Sequence, residues 1–464
     1  MNRVLLIDFG STYTKVTAVD LKEERILGTA SAYTTVQTDV SEGLAAALKK
    51  LEQEIGPVRF DRRFACSSAA GGLKMMSCGL VPELTAEAAR MAALGAGAKV
   101  MKVYSYQLTE EDGEEINRLN PDIFLLTGGT DGGNKNNILE NARMLASLDA
   151  VFPVVIAGNR NAAGECRKIL EAAEKPAVVC ENVMPRFNVL NIEPAQTEIR
   201  KIFLERIIRA KGLSEAGQLI SGILMPTPAA VLSAMELLSK GTETEKGFGE
   251  LLAVDVGGAT TDVYSMTAGD PTRAGTVLKG LPEPYAKRTV EGDIGMRYSA
   301  KGIAEAAGIP ALARIAGLSE EKTETLLTLI SEKTDILPET EELKALDFAL
   351  AAMAVKTGVT RHAGRIEKVY TPVGETFVQE GKDLGAVSRV IATGGSLIHA
   401  GRTEEIVKYA LYDPADPASL KPVSAEIISD EKYILSAMGL LARYAPETAI
   451  KIMKKELKSH GTAK

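Results

Sequence analysis

The chain has 464 residues, of which 45% are hydrophobic and 25% are charged, and its formal net charge is −7. This length exceeds what one hydrophobic core supports and predicts roughly two to four domains, while the composition is that of an ordinary globular protein. The acidic balance and the lack of a basic run exclude general affinity for nucleic acid.

Neither a signal peptide nor a membrane-spanning segment is predicted. The apolar run at the N-terminus is interrupted at Asp8, and no stretch of about 18 apolar residues occurs in the sequence. The four cysteines share no close spacing, which is typical of buried free thiols in a reducing compartment. A cytoplasmic protein without membrane contact is therefore expected.

The first residues predict a β-hairpin with a polar tip. An apolar strand over Val4–Phe9 carries Asp8 near its end, and strands over Thr14–Asp20 and Arg25–Tyr33 complete an antiparallel meander. The tip between the first two strands consists of small and hydroxylic residues: Gly10, Ser11 and Thr12. Lys15 follows the tip, where it either reaches a phosphate oxygen or is an ordinary exposed strand lysine.

From Phe64 to Val183 short strands alternate with helices, which is the pattern of a parallel sheet with crossover helices. The strands are expected at residues 64–68, 99–108, 122–127, 154–157 and 177–180. This block predicts a separate α/β unit inserted within the first lobe. Its loop Gly128–Gly133 follows a strand and precedes a helix, so ligand binding there and a plain glycine-rich turn are both open.

Two helices, over 194–211 and 227–240, lead through a polar linker into a second hairpin of the same kind. Its apolar strand ends at Asp255, and Asp262 begins the returning strand. The tip residues are again small or hydroxylic: Gly257, Gly258, Ala259, Thr260 and Thr261. Glycine permits a positive φ and close approach of a phosphate, and the tip N–H groups with the hydroxyls form a small anion nest. Asp255 is placed to hold a hydrated divalent cation or to orient a water.

After the second hairpin the sequence predicts a charged loop over 281–297. Glu291 and Asp293 either face a nucleotide or cap the helix that begins near Met296, and capping is favoured. Residues 300–362 have the three- and four-residue apolar spacing of helices.

The last hundred residues predict a strand, a glycine junction and two helices. Strand 387–393 is followed by Gly394-Gly395-Ser396 and a helix, an arrangement that suits a purine because side chains are absent and N–H groups are free. Ile434–Arg443 is a helix of small residues, and the basic last fifteen residues predict a solvated terminal helix.

No histidine, neither His362, His399 nor His460, stands in the Asp-x-His-x-x-Gly context of cobalamin-carrying mutase modules.

These motifs resemble known ones. Asp8-Phe9-Gly10-Ser11-Thr12 resembles the first phosphate motif of the actin, hexokinase and heat-shock-chaperone ATPase superfamily, residues 255–262 resemble the second, and residues 390–396 resemble its adenosine motif. Residues 254–263 and 289–297 are similar to the accessory (MutL/GlmL-type) proteins of glutamate mutase and ornithine aminomutase. Those proteins are believed to reactivate adenosylcobalamin-dependent mutases.

The resemblance implies an α/β, two-lobed actin-like (ribonuclease-H-like) ATPase fold with an inserted parallel α/β unit. The expected segments are a first lobe (1–62), the inserted unit (63–190), helices and linker (191–250), a second lobe (251–433) and a hinge-proximal helix with the tail (434–464).

The resemblance also assigns a site. ATP and Mg²⁺ would be bound between the hairpins, with Asp8 and Asp255 holding the hydrated metal and Asp255 or Asp262 orienting the attacking water. The implied nucleotide-binding residues are Gly10, Ser11, Thr12, Lys15, Gly257, Gly258, Ala259, Thr260, Thr261, Gly394, Gly395 and Ser396.

Three functions are open at this point. The favoured one is an ATP-dependent chaperone that releases damaged cobalamin from a partner mutase, because residues 251–264 and 289–297 match the accessory proteins. A hydantoinase-type subunit and a small-molecule kinase share the same fold. No G-x-x-x-x-G-K-[ST] sequence is present, which excludes a P-loop ATPase, and no H-E-x-x-H, paired-cysteine or histidine cluster supports a transition-metal hydrolase.

Overall fold

The computed structural model describes residues 2–10, 13–33, 40–68, 73–210, 224–372 and 374–463. The chain divides into two compact units. Unit 1 comprises residues 1–234, 280–282 and 435–452, and unit 2 comprises residues 235–279, 283–434 and 453–464. Among the described residues, no helix combines the length and the apolar character needed to cross a membrane.

The first sheet of unit 1 contains the predicted N-terminal meander. Its strands are β1 Arg3–Phe9, β2 Tyr13–Asp20, β3 Arg25–Tyr33, β4 Arg62–Ser67 and β10 Leu224–Pro226, in the order β10-β4-β1-β2-β3. β2 is antiparallel to β1 and β3, whereas β1, β4 and β10 run parallel. The sequence placed the strand near residue 64 in the inserted unit. This was wrong, because β4 pairs with β1.

The second sheet of unit 1 is the inserted parallel α/β unit, and it confirms the predicted alternation. Its strands are β5 Lys74–Gly79, β6 Lys99–Ser105, β7 Ile123–Leu126, β8 Val154–Ile156 and β9 Ala177–Val179, in the order β6-β5-β7-β8-β9. All neighbours are parallel. The sequence does not predict β5, because Lys-Met-Met-Ser-Cys-Gly contains no β-branched residue. One hydrophobic core includes residues of both sheets of unit 1.

The main sheet of unit 2 repeats the strand arrangement of the first sheet. Its strands are β11 Leu251–Val256, β12 Thr261–Met266, β14 Ala286–Glu291, β17 Arg389–Thr393, β18 Ala425–Ser429 and β19 Lys458–Ala463. The order is β14-β12-β11-β17-β18-β19, with β12 antiparallel to β11 and β14, and with β11, β17 and β18 parallel. β19 adds an antiparallel edge strand, so the terminal helix predicted there was wrong beyond Glu456.

A small sheet of unit 2 is absent from the sequence prediction. It consists of β13 Thr276–Lys279, β15 Arg365–Thr371 and β16 Gly374–Glu380, in the order β13-β16-β15. β15 and β16 form an antiparallel hairpin, and β13, from an earlier part of the chain, pairs in parallel with β16.

The helices follow the predicted apolar spacing. Their bounds are α1 Val40–Ile55, α2 Glu87–Gly95, α3 Glu110–Leu119, α4 Asn136–Ser147, α5 Arg160–Ala172, α6 Glu193–Ala210, α7 Thr227–Lys240, α8 Ala300–Ala307, α9 Ile309–Ala316, α10 Glu320–Glu332, α11 Glu341–His362, α12 Gly395–Ile398, α13 Thr403–Val407, α14 Leu435–Ala442 and α15 Pro446–Glu456. A π-helical turn, Pro82–Ala86, precedes α2, and a 3₁₀ turn, Lys408–Ala410, follows α13. α3 begins with a capping box between Thr109 and Asp112.

Unit 2 contains a buried polar network on the side of its main sheet that faces α11. His362 lies between the hydroxyls of Ser265 and Thr289, at 2.8 Å from each. Lys382 is almost fully buried, and its Nζ donates to the carbonyls of Thr267 and Tyr285 at 2.8 and 2.9 Å. The histidine therefore links α11 to strands β12 and β14 of the sheet.

Burial lowers the pKa of Lys382 to about 7. In the unfolded chain Lys382 keeps its proton up to a pH near the ordinary pKa of lysine. In the folded chain it releases the proton at about pH 7. We therefore expect the stability of the wild-type chain to fall, relative to Lys382→Met, as the pH decreases from about 10 to 7. Urea unfolding of both proteins across this range measures the difference. If the difference in unfolding free energy between the two proteins did not change with pH, the lowered pKa of Lys382 would be contradicted.

Candidate functional site

The tip of the second hairpin is a tight turn at the end of β11 and β12. Asp255 pairs with Asp262 and Val256 pairs with Thr261, so only residues 257–260 form the turn, which the Gly257 N–H closes on the Thr260 carbonyl at 2.9 Å. Neither Gly257 nor Gly258 has a positive φ. The expectation that positive φ requires these glycines was therefore wrong.

Free space explains the glycine at 258 better than backbone conformation does. A Cβ atom added to Gly258 would meet only the Tyr298 ring, at 3.8 Å, which is an ordinary contact. A Cβ atom at this position therefore meets no close contact within the protein, and the space above the tip is open.

The segment that follows β14 holds this tip in place. The N–H of Met296 donates to the Gly257 carbonyl at 3.0 Å, and those of Arg297 and Tyr298 donate to the Gly258 carbonyl at 2.8 and 2.9 Å. Gly295 packs so closely on the Ala259 backbone that an added Cβ would lie 2.3 Å from its carbonyl carbon. Residues 254–263 and 289–297, which carry the family resemblance, are thus in direct contact at the tip.

Glu291 and Asp293 do not cap a helix. Both carboxylates accept hydrogen bonds from Arg361, at 2.7 and 2.9 Å, and Ser299 is the N-cap residue of α8. The expectation of capping was wrong, because both acids pair with Arg361. The sequence did not reveal this pairing, since the arginine lies about seventy residues away in the chain.

The alternation of β11 and β12 separates the predicted site residues into two faces. Asp255 and Asp262 lie on one face, and the Thr260 hydroxyl donates to Asp262 at 3.3 Å. Thr261 lies on the opposite face, where it is fully buried and its methyl carbon lies 3.1 Å from the Cβ position of Gly358 in α11. The Thr261 side chain is therefore not brought together with Asp255.

Asp262 has a buried ion-pair partner. The guanidinium of Arg288 lies 2.6 Å from its Oδ1, and the Arg288 side chain is only 4% exposed. Burial acts to lower the pKa of Arg288, but the charges of Asp262 and Tyr264 and the hydrogen bonds to both together raise it above its ordinary value. The pairing holds β14 against β12, and the sequence gives no signal for it because arginine is common in exposed strands.

The predicted adenosine motif, residues 390–396, contacts the end of β11 directly. Thr393 is the strand partner of Asp255, and an added Cβ at Gly394 would lie 2.8 Å from Asp255 Oδ1 and 2.5 Å from the Val256 carbonyl oxygen. Gly394 has a φ of +95°, so glycine is required here by conformation as well. Burial, with the nearby charge of Asp255, raises the pKa of Tyr433, whose hydroxyl lies 3.3 Å from the Cβ position of Gly395. Ser396 is half-buried in the short helix α12.

The first hairpin, in unit 1, has a buried carboxylate at its strand end. Asp8 is 6% exposed, and its two oxygens accept hydrogen bonds from the hydroxyls of Thr227 and Ser436 at 2.7 and 2.9 Å. Gly10 is required by its turn, since an added Cβ would lie 2.5 Å from the Tyr13 carbonyl oxygen. Lys15 lies opposite Asp8 in the antiparallel register of β1 and β2.

Part of the prediction for this first hairpin is not tested by the structure, and part of the observed site was not predicted. Ser11 and Thr12 lie outside the described residues. Sequence reasoning missed Thr227 and Ser436, which come from α7 and α14. The available signals are a hydroxyl at the first position of one helix and a small-residue pattern in the other.

The glycine-rich loop of the inserted unit is held by two buried asparagines. Asn159 accepts the N–H of Gly132 and donates to the carbonyls of Gly133 and Asn134, and Asn182 donates to the Gly129 carbonyl. The turn is thus built by side chains of its own unit.

The carboxylates do not form a closed metal site. Among the residues that the structure describes, no group of three or more His, Cys, Asp or Glu side chains could hold a metal ion. Carboxylates that do not form such a group fit a magnesium ion that retains most of its waters and is carried by substrate phosphates.

The strand arrangement of the two main sheets defines the class of protein. The five-stranded sheet of unit 1 and strands β14-β12-β11-β17-β18 of the six-stranded sheet of unit 2 both have the order 3-2-1-4-5, with the second strand antiparallel and a turn motif between the first two strands. This is the actin-like (ribonuclease-H-like) ATPase fold, here with the predicted inserted parallel sheet. The model of the MutL protein family matches residues 4–457, and the chain belongs to that family.

A comparison with one curated protein agrees with this membership. The chain is 51% identical over 459 residues to the protein MutL of Clostridium tetanomorphum, covering 98% of this chain and 99% of that protein. Among solved structures it is similar to component A of the (R)-2-hydroxyglutaryl-CoA dehydratase of Acidaminococcus fermentans, with 9% identity, a TM-score of 0.31 and coverage of 98% and 99%. The Lactobacillus acidophilus gluconate kinase gives 10% identity, a TM-score of 0.36 and coverage of 99% and 93%.

Proposed function

We propose that this chain binds and hydrolyses MgATP through its two phosphate motifs and its adenosine motif. The observation that carries the proposal is the convergence of three elements in unit 2. The open glycine tip, the Asp255 carboxylate and the Gly394 junction all lie at the same end of β11. A polyphosphate with an attached purine fits this combination of backbone N–H groups, open space and a carboxylate.

We further propose distinct roles for the carboxylates. Asp262 forms a buried ion pair with Arg288, and Asp255, which lies beside the Gly394 junction, is proposed to orient the attacking water. Asp8, which two hydroxyls hold in position, is proposed to contact waters of the bound magnesium. The metal would neutralise charge on the phosphates and draw them into position.

The proposed outcome of hydrolysis is work on a partner protein. We propose that the chain releases damaged cobalamin from an adenosylcobalamin-dependent mutase of the glutamate mutase or ornithine aminomutase type. Membership of the MutL family and the braced tip, whose two parts carry the resemblance to mutase accessory proteins, support this choice. A ligand shifts a conformational equilibrium only through unequal affinity for the two states, and a change from 1:99 to 99:1 needs about 5.5 kcal/mol. A few charge-assisted hydrogen bonds to phosphate, at ~1.5–3 kcal/mol each, supply that difference.

Reactivation of an inhibited mutase tests the proposal. A mutase that is blocked with hydroxocobalamin should recover activity only when this chain, ATP, Mg²⁺ and fresh adenosylcobalamin are all present. A non-hydrolysable ATP analogue should allow at most one release event per chain. Cleavage of a hydantoin or phosphorylation of a metabolite without any mutase would instead identify one of the other two functions of this fold.

A further inference from the structure

The position of the second phosphate tip depends on a short neighbouring segment. The carbonyls of Gly257 and Gly258 accept their hydrogen bonds from the backbone of Met296, Arg297 and Tyr298. Whatever fixes these three residues therefore fixes the direction of the tip's remaining N–H groups. Donors that are oriented before the ligand arrives bind an anion better than donors that must reorganise.

Arg297 anchors this segment through its side chain. Nη1 and Nη2 donate to the two carboxylate oxygens of Asp347 at 2.9 and 2.8 Å, which is the bidentate arrangement. Nη1 also donates to the Met296 carbonyl at 2.8 Å, and Nε and Nη2 donate to the Ile336 carbonyl at 3.4 and 3.3 Å. The two side chains are only 13% and 19% exposed, so water screens this pair little.

Asp347 belongs to α11, the helix that also packs against the back of the hairpin. Gly358 of the same helix contacts Thr261 and Val263, whose side-chain carbons lie 3.1 and 3.3 Å from its Cβ position. α11 therefore holds the hairpin at two places, through direct packing and through the arginine.

We propose that Arg297 is a positioning residue for phosphate binding, which holds the second tip in its anion-binding geometry by anchoring residues 296–298 to Asp347 of α11. The inference rests on the proposed ATP function and adds to it a defined link between the tip and α11. Arg297 acts through the tip backbone and needs no contact with the nucleotide. The adenosine motif at Gly394 is held by other contacts, with Asp255 and Val256, and does not depend on this arginine.

The test compares MgATP with adenosine. Lysine keeps the charge but not the planar fork, so Arg297→Lys breaks the bidentate pair and the hydrogen bonds to Met296 and Ile336. We expect MgATP affinity, measured by calorimetric titration, to fall about tenfold or more, as for other outer partners of a binding site. Adenosine affinity should stay at the wild-type value, because adenosine has no phosphate. Asp347→Asn, which changes fewer atoms, should give the same pattern to a smaller extent.

Arg365→Lys is the matched control. Arg365 also forms a bidentate pair in unit 2, with Asp416, at 3.2 and 2.9 Å, and it lies in the small sheet. This control should bind both ligands normally. Wild-type MgATP affinity in both Arg297→Lys and Asp347→Asn, or an equal loss of MgATP and adenosine, would overturn the positioning role alone. Absence of MgATP binding to the wild-type chain would instead overturn the proposed function together with this inference.

Discussion

Gly258→Val is expected to abolish MgATP binding while the protein stays folded. In the proposed site a phosphate contacts the backbone of residue 258, and a branched side chain would fill that space. The structure predicts little strain within the protein, because the position has a negative φ and only the Tyr298 ring is near, at 3.8 Å. Calorimetric titration should show a loss of at least about 100-fold in affinity.

A glycine in open space elsewhere provides the control. Gly164 in α5 has no atom within 4 Å of its Cβ position, and it also lacks a positive φ. Gly164→Val should bind MgATP as the wild-type chain does. If Gly258→Val kept wild-type affinity with an unchanged unfolding temperature, residue 258 would not be part of a phosphate site.

Asp255→Asn is expected to separate nucleotide binding from hydrolysis. The amide keeps the shape of the side chain, so the packing of Gly394 against it is retained. It removes the negative charge that the proposed mechanism uses to orient water and to hold the hydrated metal. Single-turnover hydrolysis in the presence of the partner should slow by about 10²–10³-fold, the range for removal of one preorganised catalytic contact. MgATP affinity should change much less.

Asp262→Asn provides the contrast, since it lies directly opposite in the same strand pair. Its substitution removes the carboxylate that neutralises the buried Arg288, which should lower stability by ~3–5 kcal/mol. Urea unfolding and hydrolysis measured on both variants distinguish the two roles. Wild-type hydrolysis by Asp255→Asn would show that Asp255 is structural.

Patterns within short segments were enough to predict the main elements and both hairpins. Asp8 and Asp255 stand at the ends of apolar strands, and glycine with hydroxylic residues follows each, which is a local signal for a turn that binds anions. Helices such as α11 follow from their apolar spacing. Alternation of strands and helices likewise predicted the inserted parallel sheet.

Only the tertiary structure decided which partners these segments meet. From its position in the sequence, strand β4 was predicted to belong to the inserted unit, but it pairs with β1. The prediction failed because a short buried run does not indicate which sheet the strand joins. The carboxylate of Asp8 is held by Ser436, 428 residues away, and Arg297 by Asp347, fifty residues away. Ion pairs and hydrogen bonds of this kind depend on distance in space, and no local periodicity encodes them. The sequence therefore determined the elements and the two hairpins with their small and hydroxylic tips, whereas the fold decided that Asp262 pairs with Arg288 and that Arg297 pairs with Asp347.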